Sequence, residues 1–163
     1  MNMTDDPRKK INLRNPTHLF AVGFGSGLMP TAPGTWGSAL ATIIGAFLLH
    51  YMGWSLFLLL TIISFWIGCR LCDQTSQDMG VHDHGSIVWD EFVGIFITLL
   101  ALPKLSFGYL LLAFLLFRLF DIWKPAPIKH FDEGYTNGFG IMIDDVLAGL
   151  YAFVVILLFR WIF

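Results

Sequence analysis

Two adjacent acidic pairs, Asp90–Glu91 and Asp144–Asp145, stand where long apolar runs begin, and another run ends in Arg118, Asp121 and Lys124. The three-residue spacing of those last three puts them on one face of a helix. Neighbouring Asp90 and Glu91 instead point about 100° apart on a helix of about 3.6 residues per turn. Asp83 precedes the third run and can fold back beside the pair. A carboxylate in or beside hydrocarbon is costly and needs a named partner. Arg118 and Lys124 cover two of the five helix-end acids. A hard divalent cation such as Mg²⁺, held through carboxylate oxygens and retained waters, would satisfy the rest. Single acids at helix starts are also favoured by the helix dipole, but that explains one charge in place better than two. Arg118 and Lys124 suit a phosphate, one as a fork and the other as a point charge, or a snorkel toward lipid headgroups. His84, next to Asp83, is placed for proton transfer or nucleophilic attack, or is simply a solvated loop histidine. His18, His50 and His130 read as interfacial, with no partner evident.

Delivering those groups to one place requires helices that end together. The chain has 163 residues, of which 56% are hydrophobic and 13% charged, against about 25% charged in ordinary soluble domains. Its apolar runs are residues 35–51, 54–71, 87–102, 107–123 and 141–163, against roughly 20 residues needed to cross a bilayer. The expectation is an all-α, polytopic membrane bundle of about five apolar helices. Residues 1–14 form a polar, basic tail with no signal-peptide pattern, and residues 15–163 a single membrane-embedded domain. Threading the runs back and forth puts all twelve acidic residues on one face. Most Lys and Arg residues fall there too, so the positive-inside rule makes that face cytoplasmic. A net charge of −2 argues against a nucleic-acid partner.

Residues 21–38 hold five glycines and two prolines, too many for a regular helix yet too apolar for a free loop. A re-entrant or interfacial loop leaning into the site is expected, its free N–H groups forming an anion nest. A dinucleotide reading of Gly23-x-Gly25-x-Gly27 fails because no βαβ context surrounds it. Close helix packing by small residues is the plainer account of these glycines. Cys69 and Cys72 lack a second ligand pair for zinc and read as packed, reduced thiols. The small-x₃-small patterns Ala41/Gly45 and Ala148/Ala152 pack helices within or between chains, so a homo-oligomer stays open.

Through PGTWGS (33–38), HDHGSIVWDEFVG (82–94), FRLFDIWKPAPI (117–128) and GFGIMIDDVLAG (138–149) the sequence resembles the phosphatidylglycerophosphatase A family of bacterial membrane phosphatases. The resemblance runs from residue 15 onward. It implies Mg²⁺-dependent removal of the terminal phosphate of phosphatidylglycerophosphate, a phospholipid substrate, in the bacterial inner membrane. By motif position it implicates Asp83, Asp90, Glu91, Arg118, Asp121, Lys124, Asp144 and Asp145, without fixing their roles. On the chemistry above, Asp90, Glu91, Asp144 and Asp145 form the metal core. Asp83 or Asp121 is a further ligand or base, and an intermediate on Asp83 or His84 stays open. Arg118 and Lys124 bind phosphate, with Gly25, Ser26, Gly34 and Thr35 beside it. Competing readings are a CDP-alcohol-type transferase, whose D-G-x₂-A-R motif is absent, and a small cation or proton transporter. The latter needs polar groups near the midplane, where this chain has few.

Overall fold

The protein is described here by a computed structural model covering residues 6–126, 128 and 137–162. Asp5, Lys129, Asp132 and Glu133, which the threading puts on the acidic face, and His130, read as interfacial, lie outside the described residues. Among the described residues there is no strand. A 3₁₀ turn (Pro7–Lys10) leads to a short helix α1 (Pro16–Ala21), and a second 3₁₀ stretch (Gly23–Leu28) precedes α2 (Pro33–Met79). Then come α3 (Trp89–Leu99), α4 (Phe107–Trp123) and α5 (Gly138–Ile162).

The 47-residue α2 is two rods rather than one, because Gly53 interrupts it at φ 75°, ψ 170°. That region of backbone space is open essentially to glycine alone. The chain reverses there. Gly37 lies against Val88 and Glu91, and Gly45 against Phe96 and Leu99, so the first limb runs parallel to α3. The second limb runs back: the Trp54 indole donates to Leu100 O (3.1 Å), and farther along Ser64 O accepts from Trp89 Nε1 (3.2 Å). Gly80, at φ 73°, closes the second limb. Its N–H donates to Gln77 O and the next N–H, of Val81, to Ser76 O, the paired bonds of a Schellman cap.

α3 is the hub of the fold. All of its residues except Ile97 are buried. At about 1.5 Å per residue its 11 residues extend about 16 Å, roughly half a bilayer, so the run 87–102 forms a core helix rather than a full-length one. α5 crosses it almost backbone to backbone. A Cβ on Gly149 would stand 2.5 Å from Gly94 O, and one on Gly94 would stand 2.7 Å from Asp145 O. Only glycine permits that approach. At the far end of α3, Arg160 donates to Ala101 O (2.9 Å).

The outward faces of α2, α4 and α5 are apolar, with Ile43, Trp66, Phe107, Trp123 and Trp161 among the well-exposed side chains. So much contiguous exposed apolar surface belongs in hydrocarbon or against a partner, not in water. α2 and α5 are both long and apolar enough to cross a membrane. The Gly/Pro segment departs from expectation in one respect. Helix α2 begins at Pro33, inside the stretch expected to be irregular, because proline suits the first helical position, where no N–H is required. Upstream, the backbone is irregular as the glycines suggest, with Phe24 and Gly25 both at positive φ.

His18 also differs from its sequence reading. It is only 5% exposed, its Nδ1 accepts from Asn12 N–H (3.0 Å), and its Nε2 faces Asp78 Oδ2 at 2.9 Å. With Lys10 donating to Met79 O (3.0 Å), it fastens the N-terminal segment to the end of α2. Cys69 and Cys72 are free thiols, the second buried against Met142.

Replacing Gly53 by alanine should lower the unfolding temperature of the detergent-solubilised protein. No atom lies within 4 Å of the missing Cβ, so the loss, about 1–3 kcal/mol, is the cost of the backbone conformation alone. An unchanged unfolding temperature would contradict the reversal at this residue.

Candidate active site

Four helix ends meet at the pole where α3 begins. The first turn of α3 carries Asp90 and Glu91. The second turn of α5 carries Asp144 and Asp145, one turn later than its glycine-rich start. α4 brings Arg118 and Asp121 in its last turns and Lys124 as its C-cap, in left-handed conformation at φ 43°. The N-terminal turns of α2 bring Gly34, Gly37 and Ser38. Asp90, Glu91, Asp144 and Asp145 are all buried, each 9% exposed or less.

Arg118 is the central cation. Its Nη1 contacts Asp121 Oδ2 closely, and reaches Glu91 Oε1 at 3.4 Å and Ser38 Oγ at 3.5 Å. Ser38 in turn donates to Gly34 O (2.8 Å). Lys124 Nζ pairs with Asp144 Oδ2 at 2.7 Å. Asp90 Oδ1 accepts the Glu91 N–H (2.9 Å), and Asp90 lies within electrostatic reach of Glu91, Asp144 and Asp83. Asp145 feels Asp121, Asp90, Asp144 and Glu91. Three carboxylates, of Glu91, Asp121 and Asp144, thus pair with the two cations, with Asp90 and Asp145 buried beside them; within the cluster Glu91 Oε2, Asp145 Oδ2 and Arg118 Nε have no hydrogen-bond partner. Buried charges are normally paired or bound to metal, so the surplus negative charge calls for a positive ligand.

Among the described residues, no three of His, Cys, Asp and Glu stand close enough together to grip an ion unaided. Mg²⁺ does not demand that. It is commonly held by one or two carboxylates, with waters and substrate phosphate completing its shell. Glu91 Oε2 and Asp145 Oδ2 are hard oxygen donors without partners, so the donor chemistry fits such an ion.

The remaining expected residues divide. Gly34 is in the cluster, but for its missing side chain: a Cβ there would stand 2.2 Å from Glu91 Oε1 and 3.1 Å from Arg118 Nη1. Thr35 lies in the same helical turn, its N–H donating to Ala32 O. Ser26 donates to Gly23 O (2.8 Å), and together with Gly25 it lines an apolar groove with Phe24, Trp36 and Ile43. This part of the glycine segment thus forms one wall of that groove. Asp83 is exposed in the loop before α3, at φ 45°, and its charge reaches Asp90 and Glu91. His84 accepts the Ser86 N–H at Nδ1 (3.2 Å). Gly37 and Ser38 were not singled out by chemistry. A Cβ on Gly37 would stand 2.5 Å from Glu91 Oε2, and Ser38 touches Arg118. Both lie inside the PGTWGS motif, which was the available signal.

The polarity of the molecule is one-sided. The far end, around residues 43–62, 97–112 and 152–162, contains no Asp or Glu. Its cations are capped locally, Arg160 on Ala101 O and Lys104 over the Tyr109 ring. An apolar-surfaced helical bundle with a buried, anionic, arginine- and lysine-bearing cluster at one pole is consistent with a membrane protein that holds a charged ligand at that pole.

Comparison with known proteins makes the assignment specific. The family model described as phosphatidylglycerophosphatase A matches residues 19–160. A Haemophilus influenzae phosphatidylglycerophosphatase A is 62% identical over 152 residues, 93% of each chain. The Escherichia coli phosphatidylglycerophosphatase A is 51% identical over 146 residues, 90% of this chain and 84% of that one. A Bacteroides thetaiotaomicron protein, provisionally named a phosphatidylinositol-3-phosphatase, is 40% identical over 151 residues, 88% of this chain and 93% of that one. No solved structure matches. The chain belongs to the phosphatidylglycerophosphatase A family, a family of phosphatases.

Gly34→Ala separates site from scaffold. The atoms its methyl meets most closely are the far ends of Glu91 and Arg118, and alanine is the better helix former by about 1 kcal/mol. The unfolding temperature should hold or rise. Phosphatase activity should nevertheless fall on the order of a hundredfold, because displacing positioned groups by about an ångström costs that much. Parallel retention of stability and activity would detach Glu91 from the reaction.

Proposed function

We propose that this protein hydrolyses the terminal phosphate of phosphatidylglycerophosphate, giving phosphatidylglycerol, at the cytoplasmic face of a bacterial inner membrane. The observation that carries the reading is the acidic cluster in which Glu91, Asp121 and Asp144 pair with Arg118 and Lys124 beside buried Asp90 and Asp145, in a chain whose relatives carry that enzyme's name. A phosphomonoester on a lipid presents its charge at the headgroup level, where this pole of the bundle would lie. Arg118 and Lys124 supply the positive charge that holds the phosphoryl oxygens. Both are already held by carboxylates, Arg118 by Glu91 and Asp121 and Lys124 by Asp144, so the arriving phosphate meets oriented cations rather than flexible ones.

Glu91, Asp145, Asp90 and Asp144 would hold Mg²⁺, which when bound neutralises phosphoryl charge and acidifies a coordinated water. The acids take part in the proton balance. Attack of water on phosphorus breaks the bond to the glycerol oxygen, and the proton released by the water goes to a carboxylate while the alkoxide regains one. Asp83, exposed at the mouth and electrically coupled to Asp90 and Glu91, and Asp121, held by Arg118, are the candidates for that exchange. His84 lies beside Asp83 and completes the set.

The third relative's name favours a second reading, in which another lipid phosphomonoester is the substrate. The chemistry is shared, and only the alcohol carrying the phosphate differs. A transport path is disfavoured by the far end, where no carboxylate continues the acidic cluster.

Purified protein should release inorganic phosphate from phosphatidylglycerophosphate with Mg²⁺ present and stop when EDTA is added. Asp90→Asn and Asp145→Asn should each lower turnover by at least a hundredfold while leaving a folded, membrane-inserted protein. Near-normal turnover of both variants at saturating Mg²⁺ would remove these acids from the core. Arg118→Lys should also be slow, because a point charge does not reproduce a two-pronged fork.

A further inference from the structure

Two apolar grooves flank the first limb of α2. One, about 250 Å³, is walled by Ala39, Thr42 and Ile43 on that limb and by Phe107, Leu111 and Phe114 on α4. The other, about 460 Å³, runs beside it along the same limb, between Trp36, Leu40 and the turn at Phe24–Met29. Ala39 and Ile43 belong to both. They form a ridge, and Ile43 on its crest is 68% exposed.

The first groove starts from the charged pole, and the second is walled by Trp36, next to Gly37, which abuts Glu91. Ser38, which meets Arg118, is adjacent to Ala39 and one helical turn before Thr42. On the facing helix, Phe114 lies one turn, and Leu111 two turns, from Arg118 along the same side. The first groove is therefore the continuation, into the apolar zone, of the contact between Ser38 and Arg118. Its lining exposes no polar surface, so a chain of methylenes fits it and a hydrated headgroup does not. A ligand with a phosphate at Arg118 and tails in these grooves must carry two chains leaving one headgroup in the same direction.

Resting on the phosphatase reading above, we propose that these grooves seat the two acyl chains of a diacyl phosphomonoester, which enters sideways from the bilayer between α2 and α4. Ala39 and Ile43 part the chains. Hydrocarbon gains little by moving from lipid to an apolar groove, since tails are already in an apolar solvent. The groove therefore acts by position: it fixes the depth and tilt of the lipid, and so the height of its phosphate at Arg118.

The test compares a long-chain and a dihexanoyl phosphatidylglycerophosphate in mixed micelles. Ala39→Trp fills both grooves at their shared wall, and Leu111→Trp fills the first from α4. Ile62→Trp, in a separate groove between α2 and α5, serves as the control. For the two groove variants, kcat/KM on the long-chain lipid should fall on the order of tenfold to a hundredfold. On the dihexanoyl lipid it should stay within about twofold, which also reports that the variants are folded, and the control should change neither. Equal slowing on both lipids, or no effect on the long-chain one, would overturn the seat while leaving the phosphatase intact. Failure of the parent protein to release phosphate from either lipid would sink the phosphatase reading and this seat with it.

Discussion

Buried negative charge in excess of its protein partners organises this molecule. Glu91, Asp121 and Asp144 pair with Arg118 and Lys124 while Asp90 and Asp145 are buried beside them, and taking such groups out of water is expensive unless each finds a partner. The cluster is tolerable only because α3, α4 and α5 hold it together rigidly. It is useful for the same reason: the unsatisfied oxygens of Glu91 and Asp145 cannot swing away to find water. A fold optimised for stability alone would replace these acids by apolar residues, as buried ion clusters can often be replaced without loss. Their retention is the physical mark of a site.

Glycines make that convergence sterically feasible. Gly94 and Gly149 let α3 and α5 approach to backbone contact, which sets Asp145 beside the first turn of α3. Gly34 and Gly37 let the N-terminus of α2 close over the Glu91 carboxylate, where the positive end of the helix dipole favours an anion. The same residues that look like flexible punctuation thus act as the absence of obstruction. Gly53 differs in kind, being required for its backbone angles rather than for space.

The exterior answers a different constraint. With the polar groups gathered at one pole and the core filled by α3, the remaining apolar residues of α2, α4 and α5 face outward. Hydrocarbon would satisfy those faces, and in the proposed function the same solvent would deliver a lipid substrate to the groove mouths. In the proposed function, the one-sidedness of the charge and the greasiness of the outer wall both follow from a phosphate site at the boundary between water and lipid.

Helicity, the apolar runs and the identity of the acidic and basic residues were legible in the chain, because each depends on composition or on spacing within one element. The common face of Arg118 and Asp121 followed from their three-residue interval, and the family from four motifs. What no spacing shows is contact between elements. That Lys124 takes Asp144 while Arg118 takes Glu91, that His18 meets Asp78, and that Ser38 reaches Arg118 depend on how the rods are rotated and offset. The shortness of α3 likewise emerged only from the fold, since its run of apolar residues reads the same whether buried in protein or in lipid. Hydrophobic pattern declares that a side chain avoids water; the packing of one helix on another decides what it touches instead.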